Sequence, residues 1–142
     1  MSRIPASLAM ILGLAALSLT SPSDATAQAQ AGSLSVAEAV VTTGVEERQP
    51  VDEVSTVSAD VGRVFLWTRV TGAQGEVDVA HVWYHGDQEI ARVPLRVASP
   101  NWRTWTSKEI LPHWTGSWRV EVEGPGGQVL HTASFQVQGG GR

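Results

Sequence analysis

The chain has 142 residues, room for one domain of ordinary size, and its 42% hydrophobic and 17% charged content is that of a chain that buries a core. Its formal net charge is −4 and it has no Lys/Arg-rich run, so the electrostatic footprint of a nucleic-acid binder is missing. The cysteine count is zero, which excludes a disulfide framework, a thiol nucleophile and a lipid-anchored cysteine.

The first segment reads as an export signal. Met1 to Pro5 carries one positive charge, at Arg3, and Ala6 to Thr20 is a 15-residue stretch without charge. Ala25-Thr26-Ala27 follows as a small-x-small cleavage site that leaves Gln28 as the new N-terminus. Fifteen residues fall short of the roughly 20 that a helix needs to cross a bilayer, so residues 1–27 are expected to be a cleaved signal peptide rather than an anchor. The expected compartment is the periplasm or the outside of the cell, with no membrane span after cleavage. Residues 28–35 are expected to be a flexible N-terminus, residues 36–137 the folded domain and residues 138–142 a disordered tail. About 115 residues then remain, enough to bury roughly 65% of the unfolded surface without a staple.

From Ser33 onward no long 3.6-period apolar stripe occurs, whereas short alternating runs recur between turn signals. The expected strands are Val36 to Thr43, Arg63 to Val70, Val77 to Tyr84, Glu89 to Val97, Trp102 to Lys108, Ser117 to Glu123 and Val129 to Val137. Seven strands suit an all-β, immunoglobulin-like β-sandwich. Between the first two lies Gly44 to Gly62, where Glu46, Glu47, Asp52, Glu53 and Asp60 face a single Arg48. This reads as a solvated loop over one end of the sandwich, with room for a short strand near Val54 to Val57. A calcium loop is the sharper reading, but the Asp-x-Asp spacing and glycine turn of a dedicated loop are absent.

In Arg63 to Val70, Arg63, Phe65, Trp67 and Arg69 share one face, opposite Val64, Leu66, Thr68 and Val70. Either this strand is covered on both sides, for instance by a dimer partner, or Phe65 and Trp67 form an exposed platform for sugar rings or peptides. His81 shares a face with Val77, Val79 and Trp83, where a lone histidine is ordinarily a hydrogen-bonded core residue. His85-Gly86-Asp87-Gln88 is a tight-turn candidate. Pro94 cannot donate to a ladder, which places Glu89 to Val97 at a sheet edge or a bulge. Trp102 and Arg103 face opposite sides, while Arg103 and Trp105 share one, so that side combines a ring with a cation. In Ser117 to Glu123, Trp118, Val120 and Val122 alternate with Arg119, Glu121 and Glu123, so one face is core and the other solvent. Gly124-Pro125-Gly126-Gly127 then turns the chain, with Pro125 at i+1 and positive φ expected at Gly126. In the last strand Ala133, Phe135 and Val137 are expected inward.

The chain carries six tryptophans against two phenylalanines and one tyrosine. Core filling is the plain reading, and for Trp118 the alternation supports it. Four histidines, His81, His85, His113 and His131, raise the question of a metal. His81 and His85 lie roughly 13 Å apart along an extended strand, too far to share an ion unless the turn bends back, and no H-x-H or HExxH motif occurs. No metal or other cofactor is expected. Enzymatic constellations are equally thin, without a Gly-x-Ser-x-Gly elbow, a phosphate-cradling loop or a nucleotide fingerprint. Glu121 and Glu123, about 6.6 Å apart on one strand face, have a separation that glycoside chemistry could use, but a solvated face is the expectation.

His81-Val82-Trp83, Trp102-Arg103-Thr104, Gly116-Ser117-Trp118-Arg119-Val120-Glu121-Val122, Gly127-Gln128-Val129-Leu130 and Phe135-Gln136-Val137 together resemble a bacterial domain-of-unknown-function family of exported or membrane-tethered proteins with a small C-terminal β-domain. The resemblance covers Val36 to Val137, and it implies a fold and a compartment rather than an activity. The functional expectation is a non-enzymatic binding or assembly module of the cell envelope, with His81, Trp83, Trp102, Arg103 and Trp105 as candidate binding residues. Its partner would be an envelope protein or a cell-wall glycan, and the edge at Pro94 leaves room for a homodimer. A glycan-binding module using Trp67 or Trp105 and a small hydrolase using His81 with a nearby carboxylate are the rival readings.

Overall fold

A computed structural model describes residues 34–139. All seven expected strands form, each within two residues of its expected bounds. They are β1 (Ser35–Thr42), β5 (Arg63–Thr71), β6 (Val77–His85), β7 (Gln88–Val97), β8 (Asn101–Glu109), β9 (Gly116–Glu123) and β10 (Val129–Gln138). Three shorter strands arise inside the acidic connection: β2 (Val45–Glu46), β3 (Gln49–Pro50) and β4 (Thr56–Ser58). No helix occurs among the described residues.

Two sheets pack face to face, one in the order β1-β5-β8 and one in the order β4-β10-β9-β6-β7. The seven long strands thus divide three and four, as an immunoglobulin-like sandwich requires, and β4 joins β10 in parallel at Gln136 to Gln138. Pro94 lies opposite Ala80 on β7, which is an edge strand as its missing N–H demands. The domain begins earlier than residue 36. Leu34 is buried against Val70, Val77 and Val97, and Ser35 already pairs with Thr71. It also ends later, because the Gln138 carbonyl accepts the Ala59 N–H at 2.7 Å. The expected signal peptide, residues 28–33 and the last three residues lie outside the described residues.

Alternation decides the packing. Val64, Leu66, Thr68 and Val70 of β5 are all fully buried between the sheets. They face Val77, Val79, His81 and Trp83 of β6, Trp118, Val120 and Val122 of β9, and Phe135 and Val137 of β10, none more than 9% exposed. The outer face of the larger sheet is a lattice of ion pairs. Arg92 bridges Glu89 and Glu123, and Arg119 pairs with Glu121 while lying 4.0 Å over the Tyr84 ring. Glu121 and Glu123 are therefore held in ion pairs on this outer face, each less exposed than a solvated strand face would leave it.

Turns follow local chemistry with one correction. Gly86 (φ +59) takes the first position of a two-residue hairpin between His85 and Gln88, where positive φ matches the strand twist. In the second hairpin positive φ falls on Gly127 (φ +80), not on Gly126. Gly127 N–H bonds the Gly124 carbonyl at 2.9 Å, closing a type I turn over Pro125 and Gly126. The left-handed residue that follows this turn restores the strand twist, a role that falls to Gly127.

The acidic connection departs most from expectation. Its β2–β3 hairpin does not cap an end of the sandwich; it lies against the outer face of the three-stranded sheet, where the Arg48 carbonyl accepts the Trp67 indole N–H at 3.0 Å. Beyond it, Asp52 ties the segment to the end of β1. Its carboxylate accepts the Thr42 hydroxyl at 2.7 Å, the Thr43 N–H at 2.8 Å and the Thr43 hydroxyl. The Thr42 hydroxyl bond, followed by those of Thr43, holds the Asp52 carboxyl below its usual range.

Candidate functional site

The six tryptophans divide into two groups. Trp67, Trp83 and Trp118 are at most 2% exposed, and each indole N–H finds an acceptor: the Arg48 carbonyl, the Thr106 hydroxyl and the Trp114 carbonyl. That is the condition for burying an indole. Trp102, Trp105 and Trp114 remain half-exposed. Trp102 packs from the inner side against the apolar cluster of Leu34, Val70, Val77 and Val97, and Trp114 packs among His85, His113 and Trp118 with Lys108 5.4 Å above its ring. Only Trp105 among these three is on the outer face.

The five residues singled out from the sequence therefore do not converge. His81 and Trp83 lie inside the sandwich, both fully buried. The two apolar clusters of the core meet at His81: Val64, Leu66 and Trp83 belong to one, Val70, Val79 and Val97 to the other. The polar layer between them is saturated. Thr68 donates to the Thr104 carbonyl at 3.0 Å, so its oxygen accepts from His81 Nε2 at 3.2 Å. Nδ1 then accepts the Thr106 hydroxyl proton at 2.8 Å, and the same hydroxyl oxygen accepts the Trp83 indole N–H at 3.1 Å. Each hydrogen has one acceptor only if the imidazole is neutral with its proton on Nε2. Burial pushes its pKa down to about 3. Among the described residues the partners of His81 are the Thr68 and Thr106 hydroxyls, with no carboxylate, and its side chain has no exposed surface, so it presents no base to a substrate in this conformation.

Arg103 and Trp105 are brought together as the sequence suggested, on the outer face of the three-stranded sheet. There β1, β5 and β8 align in rows: Glu38, Arg69 and Arg103 in one, Val40, Trp67 and Trp105 in the next, Thr42, Phe65 and Ser107 in the third. The β2–β3 hairpin covers the centre of this face. Trp67 is thus buried by the chain's own hairpin, while Phe65 stays half-exposed, so the face is neither an open platform nor dependent on a second subunit for covering Trp67. Beside the hairpin runs a groove of about 370 Å³ lined by Glu38, Gln49, Trp67, Arg69, Asn101 and Arg103. Arg69 is neutralised by Glu38 at 2.9 Å, whereas half-buried Arg103, its cross-strand neighbour, has no anionic partner among the described residues. Gln49 was not legible as a site residue, because only the hairpin delivers it to this groove.

A second groove, of about 340 Å³, follows the seam between β1 and β10 and is lined by Glu53, Ser55, His131 and Ser134 over Ala39, Val41 and Ala133. Among the described residues no three His, Asp or Glu side chains converge to hold a metal ion, and no helix is long and apolar enough to cross a membrane.

What the fold and site define is a small β-sandwich domain with an aromatic and cationic outer face along one edge strand. Residues 76–137, from the residue before β6 to the penultimate residue of β10, match the family model described as "Protein of unknown function (DUF2914)". The match spans under half of the chain and contains the His81-Val82-Trp83 and Trp102-Arg103-Thr104 elements as well as the β9–β10 hairpin. No curated protein matches the sequence.

Proposed function

We propose that this protein is an exported, non-enzymatic binding or assembly module of the cell envelope that makes contact through the outer face of its three-stranded sheet. Its first 27 residues act as a cleaved leader, and the mature domain works in the periplasm or outside the cell. The observation that carries this reading is the pairing of half-buried Arg103, without a counter-ion among the described residues, and half-exposed Trp105 on the strand at the sheet edge. Aromatic rings and arginines are enriched where protein surfaces meet, because both combine large contact area with directional polar recognition. The lack of catalytic motifs points the same way.

The test is a photo-reactive phenylalanine analogue placed at Trp105 in the exported protein, with the same analogue at exposed Val129 as a control. A covalent adduct is expected from position 105 and none from 129. Absence of an adduct at 105 under conditions that label other envelope proteins would overturn the reading. A cell-wall glycan is the second reading, favoured by the guanidinium and amides of Arg103, Gln49 and Asn101 in one groove beside a ring. It predicts that a soluble cell-wall digest shifts the Trp105 indole N–H signal and leaves those of Trp67, Trp83 and Trp118 in place.

A further inference from the structure

Two packed sheets leave four edges, and three of them are blunted. β7 carries Pro94 and a register irregularity at Trp83/Tyr84. β4 is three residues long. β1 shifts register between Val36 and Glu38, and the Val41 carbonyl is taken by the Val54 N–H. Such devices are how sheets avoid recruiting another strand. β8 has none of these backbone interruptions, and its one lysine, Lys108, lies over the Trp114 ring. Its nine residues pair with β5 without a register shift, contain neither proline nor glycine, and have no hydrogen-bonded strand on their other side.

The side chains on this edge are self-complementary. Arg103, Trp105, Ser107 and Glu109 lie on the outer face, and neither Arg103 nor Glu109 has an ion-pair partner among the described residues. The geometry points to a second copy of this chain as the occupant, its β8 pairing antiparallel with the first about a two-fold axis through Thr106. Side chains alternate with period two, so an axis at Thr106 keeps the outer faces of both copies on one side. That register sets Arg103 opposite the partner's Glu109 and Trp105 opposite the partner's Ser107, each twice. The two Trp105 rings become diagonal neighbours across the axis, within reach of one another. Neighbouring registers fail on charge. An axis at Trp105 leaves Arg103 facing serine and Glu109 facing asparagine, and one at Thr104 sets Arg103 against the partner's Trp105 and leaves Glu109 unmatched. The product is one continuous sheet of six strands in the order β1-β5-β8-β8-β5-β1. An isologous pair of this kind closes on itself, because each copy's β8 edge is consumed.

This inference rests on the reading that the β8 side of the outer face is the contact surface, and names the partner. The experiment is sedimentation equilibrium on the protein purified after export, across a concentration series, for the wild type, Arg103→Glu, Glu109→Arg and the double variant. A concentration-dependent dimer is expected for the wild type. Each single reversal sets like charges opposite one another twice and weakens the dimer roughly tenfold or more, and the double variant regains the wild-type behaviour. Both side chains lie on the surface; should a reversal impair folding, Arg103→Gln and Glu109→Gln remove one charge each and predict the same direction. A wild type that stays monomeric to about 1 mM overturns the inference, as does a dimer indifferent to both single reversals or a loss that the double variant does not restore. A position-105 adduct with the mass of a different protein would likewise overturn self-pairing while leaving the contact surface standing.

Discussion

The His81 layer makes stability depend on pH in a defined window. Its imidazole has a folded pKa of about 3 because burial disfavours the charged form, whereas in the unfolded chain it titrates near the ordinary 6.5. A depressed folded value means that the unfolded state takes up the proton first, so the stabilisation is complete above pH 6.5 and is lost as the pH falls towards 3. Between pH 7 and pH 5 the unfolded imidazole goes from mostly neutral to almost fully charged while the folded one stays neutral. By linkage this removes about 2 kcal/mol, a shift of roughly 1 M in a urea midpoint at the slopes usual for small domains. The assay is urea unfolding at both pH values for the wild type and His81→Gln. Glutamine keeps one donor and one acceptor for Thr68 and Thr106 but cannot titrate, and the other three histidines cancel between the two proteins. The reasoning is refuted if the two proteins lose the same stability between pH 7 and 5, or if the His81 ring resonances of the folded protein titrate near 6.5.

Two further outcomes follow from the acidic connection. Glu47 (φ +49) and Arg48 (φ +64) hold a left-handed backbone that non-glycine residues adopt at a cost, and the Arg48 side chain is exposed; Arg48→Gly is therefore expected to raise stability by about 0.5–1 kcal/mol in thermal unfolding, and a lowered midpoint would show that the arginine side chain contributes there. The depressed Asp52 carboxyl contributes stability that is present above its usual pKa of 3.8 and lost as the pH falls through its lower folded value. Asp52→Asn should therefore flatten the acid limb of the stability curve below pH 4 in the His81→Gln background; an unchanged limb would assign acid unfolding to other carboxylates.

The contact surface makes one more demand on stability measurements. Arg103 donates no hydrogen bond and forms no ion pair among the described residues, so Arg103→Ala should leave the unfolding midpoint of dilute protein within about 0.5 kcal/mol of wild type. A larger loss would make Arg103 a structural residue and remove it from any binding role.

The strands were legible because alternation is a local property: Trp118, Val120 and Val122 against Arg119, Glu121 and Glu123 specify both a strand and its buried face without knowledge of the partner. Pro94 marked an edge for an equally local reason, its missing N–H. Where both faces of a strand carry large side chains, as with Leu66 and Trp67 of β5, periodicity cannot say what covers the second face. The answer came from a hairpin about 20 residues earlier in the chain. That hairpin had no sequence signal, because Glu47-Arg48 is not the Asn-Gly chemistry that a turn with two positive φ values normally demands; the Trp67 indole bonded to the Arg48 carbonyl accompanies it instead. His81 was on the inward face by its spacing from Val79 and Trp83, but its neutrality and its tautomer depend on Thr68 and Thr106, which reach it from two other strands. Sequence by itself determined the strands of the sandwich, the β7 edge at Pro94 and the inward residues of strands that alternate cleanly, since these follow from side-chain period and backbone chemistry. Tertiary structure alone decided which aromatic residues are covered, that Arg103 has no counter-ion among the described residues, and that Arg103 and Glu109 lie on one unpaired edge strand, since each depends on registers between segments far apart in the chain.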